Sequence, residues 1–343
     1  MDPGALFSEA FEASCRVMDA SPSVLERSFR IGGSAVHFRL AGHAMVKNVW
    51  PAISHLEDRQ AAIESGLTVH VWDCESTGAP FPVSADIWNA CTNWGELVAT
   101  RGSLIHASRL MDVGVYSMVD LSSGQAVYWA NRADHVPPYA RAAAVRSILH
   151  VWMRKQRRIF LHGASVARDG QSILLAGKGG SGKTTTALLC ASQGWQYLGD
   201  DYCLASAGES PRTYSVYNSA KLSPDQWNRF VHWTDSRHAV KDPQSGKTIV
   251  FLAYDSSVSV IPQGELRAIV LPTITGGKRS TLTADSPVAA WKAMALSTVL
   301  QLPGAAQEDL ASIGSLARSV PCFRLSLGND LESVPTVIAS GIW

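Results

Sequence analysis

Residues 177–184 read Gly-Lys-Gly-Gly-Ser-Gly-Lys-Thr and meet the pattern G-x-x-x-x-G-K-[ST] at Gly177, Gly182, Lys183 and Thr184. The chemistry such a run can do is to hold phosphate. Gly177, Gly179, Gly180 and Gly182 let the backbone curl until its N–H groups converge on phosphate oxygens, with Lys178 and Ser181 completing the loop. Lys183 is placed to reach the terminal phosphates and the Thr184 hydroxyl to ligate Mg²⁺, while Thr185 continues the cradle into the next turn. An apolar run at 173–176 feeds in as a buried strand. Residues 184–193 lead out as a helix, whose N-terminus adds its positive dipole end. ATP and Mg²⁺ are the expected cofactors.

Two further groups flank this loop. Asp200-Asp201 ends a strand expected at 195–198, one short crossover after the loop helix. At a strand end both carboxylates can turn toward the phosphates, so that one holds Mg²⁺ and the other accepts the proton of an attacking hydroxyl. His162 ends the strand before the loop. A lone histidine on an apolar strand is most often a core residue; the nearby acid pair makes this one a catalytic candidate.

Several nucleotide-binding classes are excluded. The chain has no N-K-x-D for guanine and no D-x-x-G switch, and Ser219-Ala-Lys221 echoes a guanine-binding turn without its partners. H-R-D and D-F-G are absent. Leu121-Ser-Ser-Gly-Gln125 resembles the ABC ATPase signature but precedes the phosphate loop, so it reads as a hairpin turn.

The elements that position these groups fall into two parts. Residues 1–134 read as a small α+β accessory domain with no chemistry of its own. It comprises a polar or short helical lead-in over 1–27, a hairpin across Gly32-Gly33, a helix from Val46 to Leu56, and strands at 67–72, 97–100, 103–106, 113–119 and 125–129. Trp72, Trp88, Trp94 and Trp129 are core residues or a peptide-docking face. Pro137-Pro138 opens a helix running to Arg157, and its basic end, 154–158, suits a helix C-terminus. Residues 135–343 read as the P-loop domain, with strands at 159–162, 164–167, 172–176, 195–198, 214–217, 248–252, 266–271 and 322–327. Its helices are expected at 224–232, 287–300, 307–318 and 331–340.

The chain has 343 residues with a net charge of +1, so no bulk attraction to nucleic acid or acidic membranes is expected. Its six cysteines form no C-x-x-C pair, which favours reduced thiols. No apolar run approaches 18 residues and the start is not a signal peptide, so the expected location is the cytoplasm, with no membrane partner.

From about residue 158 to 204, the order His162-Gly, strand, phosphate loop, helix, Gly199-Asp-Asp201 resembles HPr kinase/phosphorylase, a P-loop serine kinase family related to phosphoenolpyruvate carboxykinase. The resemblance implies an α/β, P-loop HPr-kinase-like core. It places the catalytic histidine on His162, the loop lysine on Lys183, the metal-binding hydroxyl on Thr184 and the proton acceptor on Asp201, beside Asp200 as metal ligand. A third acidic ligand of that family has no clear match; Asp225 is nearby in different surroundings. The N-terminal half departs from the bacterial HPr kinases, which puts the reverse phosphorolysis in doubt.

A wider stretch resembles the HPr-kinase-like serine kinases of lasso-peptide and related ribosomal-peptide biosynthesis. It is carried by Val71-Trp-Asp73, Ser76-Thr-Gly78, Ala126-Val-Tyr-Trp129, Gly199-Asp-Asp-Tyr-Cys203 and Val216-Tyr-Asn-Ser-Ala-Lys-Leu222. Ser297-Thr298, Gln301-Leu-Pro-Gly304, Pro321-Cys-Phe-Arg-Leu325 and Gly328 complete it. This resemblance implies phosphorylation of a precursor peptide, typically at a C-terminal serine, with other peptide-maturation enzymes as partners; a homo-oligomer is compatible with it. Such a kinase needs cations for a carboxylate or phosphate, and Lys221, Lys278 and Arg279 are candidates. Arg267 and Arg324, on expected strands, need carboxylate or phosphate partners. Two alternatives stay open: a small-metabolite kinase, and a nucleotide-gated module that binds a precursor peptide without catalysis.

Overall fold

Apolar residues at helical spacing build the first element. Leu6, Phe7, Ala10 and Met18 form the buried stripe of α1 (Pro3–Ala20), and the Asp2 carboxylate caps its start by accepting from the amides of Gly4 and Ala5. The lead-in is thus a full helix rather than a short one. The protein is described here by a computed structural model covering residues 2–60, 66–110, 113–232, 236–299, 302 and 307–343. It divides into two compact units, one through Gln156 with Leu302, the other from Arg157 onward.

The first unit continues through β1 (Val24–Ile31), β2 (Ser34–Ala41), α2 (Val46–Ile53), β3 (Leu67–Asp73) and α3 (Cys74–Thr77). It then runs through β4 (Ile105–Leu110), β5 (Val115–Asp120), β6 (Gln125–Ala130), α4 (Pro138–Arg141) and α5 (Arg146–Lys155). Its sheet has the order β1-β2-β3-β6-β5-β4, parallel at β2–β3 and β3–β6 and antiparallel elsewhere. Gly32 and Gly33, at φ 58° and 87°, make the tight β1–β2 turn that the alternation predicts. Residues 121–124 are the β5–β6 turn, not an ATPase signature. Trp72 and Trp129 stack at 5.6 Å inside the core with Trp88, whereas Trp94 is exposed.

Three expectations for this half change. Residues 98–100 form a 3₁₀ turn, with the Thr100 hydroxyl donating to the Leu97 carbonyl, so no strand runs there. The helix expected through Arg157 is two helices, broken where Val145 takes φ 49°. The division falls after Gln156 rather than at residue 134, because α5 packs against β4 and β5.

The second unit begins with β7 (Ile159–Leu161), β8 (Gly163–Arg168), β9 (Gln171–Ala176), α6 (Lys183–Ser192) and β10 (Gln196–Gly199). Next come β11 (Cys203–Ser206), β12 (Arg212–Tyr214), β13 (Ser219–Leu222), α7 (Pro224–Phe230), β14 (Val240–Lys241) and β15 (Thr248–Phe251). The chain ends with β16 (Gln263–Ile274), β17 (Thr281–Asp285), α8 (Pro287–Val299), α9 (Gln307–Ser319), β18 (Cys322–Leu327) and α10 (Val334–Ile342). The large sheet runs β10-β8-β9-β16-β12-β11-β7, and β18 and β17 extend it from the second half of β16. A small sheet, β13-β15-β14, stands apart.

Both faces of the large sheet are covered. Ile173 and Leu175 of β9 point into a core with Leu188 of α6 and Ile338 of α10, while Leu174 and Ala176 point into a second core with Met294 of α8 and Leu316 of α9. Burial on both faces is why β9 reads as a continuous apolar run. The class is mixed α/β, as expected. The strand expected at 214–217 ends at Tyr214, and β11, β13, β14 and β17 add to the expected set. Among the described residues all six cysteines are unpaired and no helix is long and apolar enough to cross a membrane.

Candidate active site

The strands β9, β16 and β18 run parallel, so their C-terminal ends meet at one edge. The P-loop leaves β9 at that edge. Gly177 (φ 153°) and Gly182 (φ 106°) occupy backbone regions that L side chains rarely adopt. A Cβ on Gly177 would meet Ser181 Oγ at 2.8 Å, and one on Gly182 would meet Leu327 Cδ1 at 2.3 Å. Both glycines are required by the loop's own shape. Inside it, Lys183 is buried and its ammonium donates to the carbonyls of Gly177 (2.7 Å) and Lys178 (3.2 Å). Burial lowers the Lys183 pKa, opposed by the charges of Asp200 and Asp201. Lys178, Gly179 and Gly180 are exposed, while Ser181 is buried.

Asp200 and Asp201 follow β10 as expected, and their surroundings differ. Asp200 is buried, and the Thr184 hydroxyl lies 3.0 and 2.9 Å from its two oxygens. Burial, reinforced by the neighbouring Asp201 charge, pushes the Asp200 pKa above the usual carboxylate range. Asp201 sits at φ 64° and its side chain is partly exposed. Burial opposes its charge, but the Lys221 ammonium at 2.6 Å and the His162 ring at 3.8 Å hold its carboxyl well below the usual carboxylate range. The Asp201 carbonyl accepts from the Gly163 amide at 3.1 Å, fastening the acid pair to the start of β8. His162 is itself buried, with Nδ1 lacking a partner among the described residues and its backbone amide donating to Thr298 Oγ1.

The structure therefore brings together His162, Lys183, Thr184, Asp200, Asp201 and Lys221. Lys221, read from sequence as a substrate cation, reaches the cluster from β13 as the ion-pair partner of Asp201, and its amide lies 3.4 Å from Asp200 Oδ2. Lys278 and Arg279 are exposed on the turn between β16 and β17, at the same sheet edge. Arg324 pairs with Asp285 at 2.6 Å, which answers the need for a partner; Arg267 is exposed. Asp225 is exposed in the first turn of α7.

Sequence reasoning missed Gln226. Its amide donates to Thr185 Oγ1 at 2.8 Å, so that hydroxyl is engaged with α7. Its carbonyl oxygen accepts from the Ser223 amide, closing a capping box. The S-x-x-Q spacing at 223–226 was the available signal.

The donor set fits Mg²⁺ with a nucleotide. One carboxylate and one hydroxyl, Asp200 and Thr184, lie side by side at the mouth of a glycine cradle. Mg²⁺ commonly takes one or two protein oxygens and fills the remainder with phosphate and water. The described residues contain no cluster of three or more His, Cys, Asp or Glu that could form an all-protein cage.

In fold comparison, the chain is similar to the Hpr(Ser) kinase/phosphatase from Coxiella burnetii, at 11% identity over 53% of this chain and 95% of that chain, with a TM-score of 0.30. That likeness is too low to bear on the site. No curated protein matches the chain. A family model described as SynChlorMet cassette protein ScmC matches residues 140–333, a stretch that contains every residue of the site. This match spans more than half of the sequence, and the protein belongs to the ScmC family of SynChlorMet cassette proteins.

Proposed function

We propose that the protein is a Mg²⁺- and ATP-dependent kinase that phosphorylates a serine hydroxyl of a precursor peptide, in the manner of the lasso-peptide kinases its sequence resembles. The observation that carries this reading is the pairing of a P-loop with two acids in different environments. One, Asp200, is turned inward onto Thr184; the other, Asp201, is half-open. A passive nucleotide switch does not need the second.

In this reading Thr184 and Asp200 would hold Mg²⁺, which would supply positive charge against the negative charge of the transfer. The P-loop amides and Lys183 fix the triphosphate and neutralise the diphosphate as its bond to phosphorus breaks. Asp201 accepts the hydroxyl proton as the serine oxygen bonds to phosphorus. His162, buried 3.8 Å from Asp201, orients its carboxylate. Lys278 and Arg279, at the same sheet edge, are suited to a peptide carboxylate. The peptide, its maturation enzymes and a cytoplasmic setting belong to this proposal.

The test is mass spectrometry of candidate precursor peptides incubated with the protein and Mg·ATP. The expected result is a gain of about 80 Da, one phosphoryl group, on a serine, abolished in Lys183→Ala. Unmodified peptides alongside clear ATP binding would overturn the peptide assignment and favour a small-molecule acceptor.

A further inference from the structure

The small sheet β13-β15-β14, separate from the strands that carry the P-loop, brings a cation to the site. Lys221 of β13 already lies at the acid pair. In the register of this sheet Leu222 pairs with Thr248, so Lys247 stands one step further along, level with Ser223. Ser223 begins α7, whose Gln226 grips Thr185 next to the metal-binding Thr184. Lys247 is two residues before Ile249, the cross-strand partner of Lys221, so the two lysines share one face of the sheet, the face from which Lys221 reaches the acid pair.

The Lys247 backbone is hydrogen-bonded within its turn. Its carbonyl accepts from the Asp242 amide at 2.8 Å and its amide donates to Ser245 Oγ. The buried Asp242 carboxylate binds the Ser245 hydroxyl and the Gln244 amide, holding the turn shut. The Lys247 side chain is exposed. Cations gathered around one mouth repel one another, and a polyanion bound among them relieves that repulsion.

The geometry points to Lys247 as a phosphate-binding residue that works with Lys221, opposite the P-loop, to recognise the terminal phosphate of a nucleoside triphosphate. This rests on the nucleotide-binding reading of the P-loop and adds a source of discrimination between tri- and diphosphate. Lys221 then has two uses: pairing with Asp201, and contacting the phosphoryl group that approaches Asp201's acceptor.

Calorimetric titration of the full chain with ADP and with a non-hydrolysable ATP analogue, each with Mg²⁺, tests it. Lys247→Gln is expected to weaken analogue binding at least tenfold, about the worth of one charge-assisted contact, and ADP binding less than threefold. Lys247→Arg should restore most of the loss. Arg168→Gln, exposed at the far end of β8, should bind both as the parent does. Equal analogue affinity in Lys247→Gln and parent, or equal losses for both nucleotides, would overturn the inference while leaving the P-loop reading intact. A parent that binds neither nucleotide would sink the P-loop reading, and this inference with it.

Discussion

Asp201→Asn separates binding from chemistry. Asn is among the few residues that tolerate the left-handed backbone seen at φ 64°, and it keeps the shape of the side chain, so the turn after β10 survives. What changes is charge. The Lys221 ammonium at 2.6 Å loses a carboxylate and keeps a neutral amide oxygen. Exchanging a charge-assisted bond for a neutral one at a partly exposed pair costs about 1–2 kcal/mol of stability, well within the margin of a folded domain. The loss in rate is larger. A positioned general base contributes roughly 10²- to 10⁴-fold, about 3–5 kcal/mol of barrier. Removing a negative charge beside the triphosphate also leaves nucleotide affinity equal or tighter. Peptide phosphorylation followed by mass spectrometry, with calorimetric ATP binding in parallel, should show turnover down at least a hundredfold and a dissociation constant no weaker than the parent's. Turnover within fivefold of the parent would refute the assignment of Asp201 as proton acceptor.

Two further outcomes follow from the packing. In Gly182→Ala, the added Cβ meets Leu327 Cδ1 at 2.3 Å in a left-handed backbone, so strain and overpacking together should cost about 2–4 kcal/mol, read as a lower urea midpoint; a midpoint unchanged from the parent would show that the loop relaxes freely. Acid should destabilise the first unit. Burial lowers the His70 pKa to about 4 and that of His106 to about 3, so the unfolded chain binds the extra protons. Stability is then full above about pH 6.5 and lost as pH falls toward 4, by up to about 1.4 kcal/mol per pH unit for each histidine. Urea titrations at pH 7 and 4.5 check this, and His70→Gln should flatten the dependence; equal stability at both pH values would contradict it.

The phosphate loop and acid pair were legible in the sequence because each is a local run whose spacing alone carries the chemistry. His162 was legible only as a candidate, since its 3.8 Å approach to Asp201 depends on how β7 and β11 pair. The pairing of Lys221 with Asp201 was not legible. Asp201 lies in the turn after a strand of the large sheet and Lys221 on the small sheet, and nothing in Ser219-Ala-Lys221 says which way its lysine reaches. Lys247 was passed over for the same reason. The strand β17 escaped notice because Thr281-Leu-Thr-Ala-Asp285 pairs only with β18 and is largely exposed, leaving no apolar run to read. The break at Val145 runs against local preference, since a β-branched residue seldom takes positive φ. The family-like run at Gln301 and Pro303-Gly304 lies outside the described residues.

The bond from Gln226 to Thr185 joins a seven-residue helix to the element that follows the P-loop. A helix that short has little stability of its own in water. Its cap, the burial of Phe230 with Trp227 packed beside it, the Arg229–Glu332 pair and the bond to Thr185 hold it together, so opening of the helix breaks the Thr185 bond as well. Ligand that steadies the P-loop should therefore slow amide exchange along 224–230 as well, making a segment with no contact to phosphate a reporter of nucleotide occupancy.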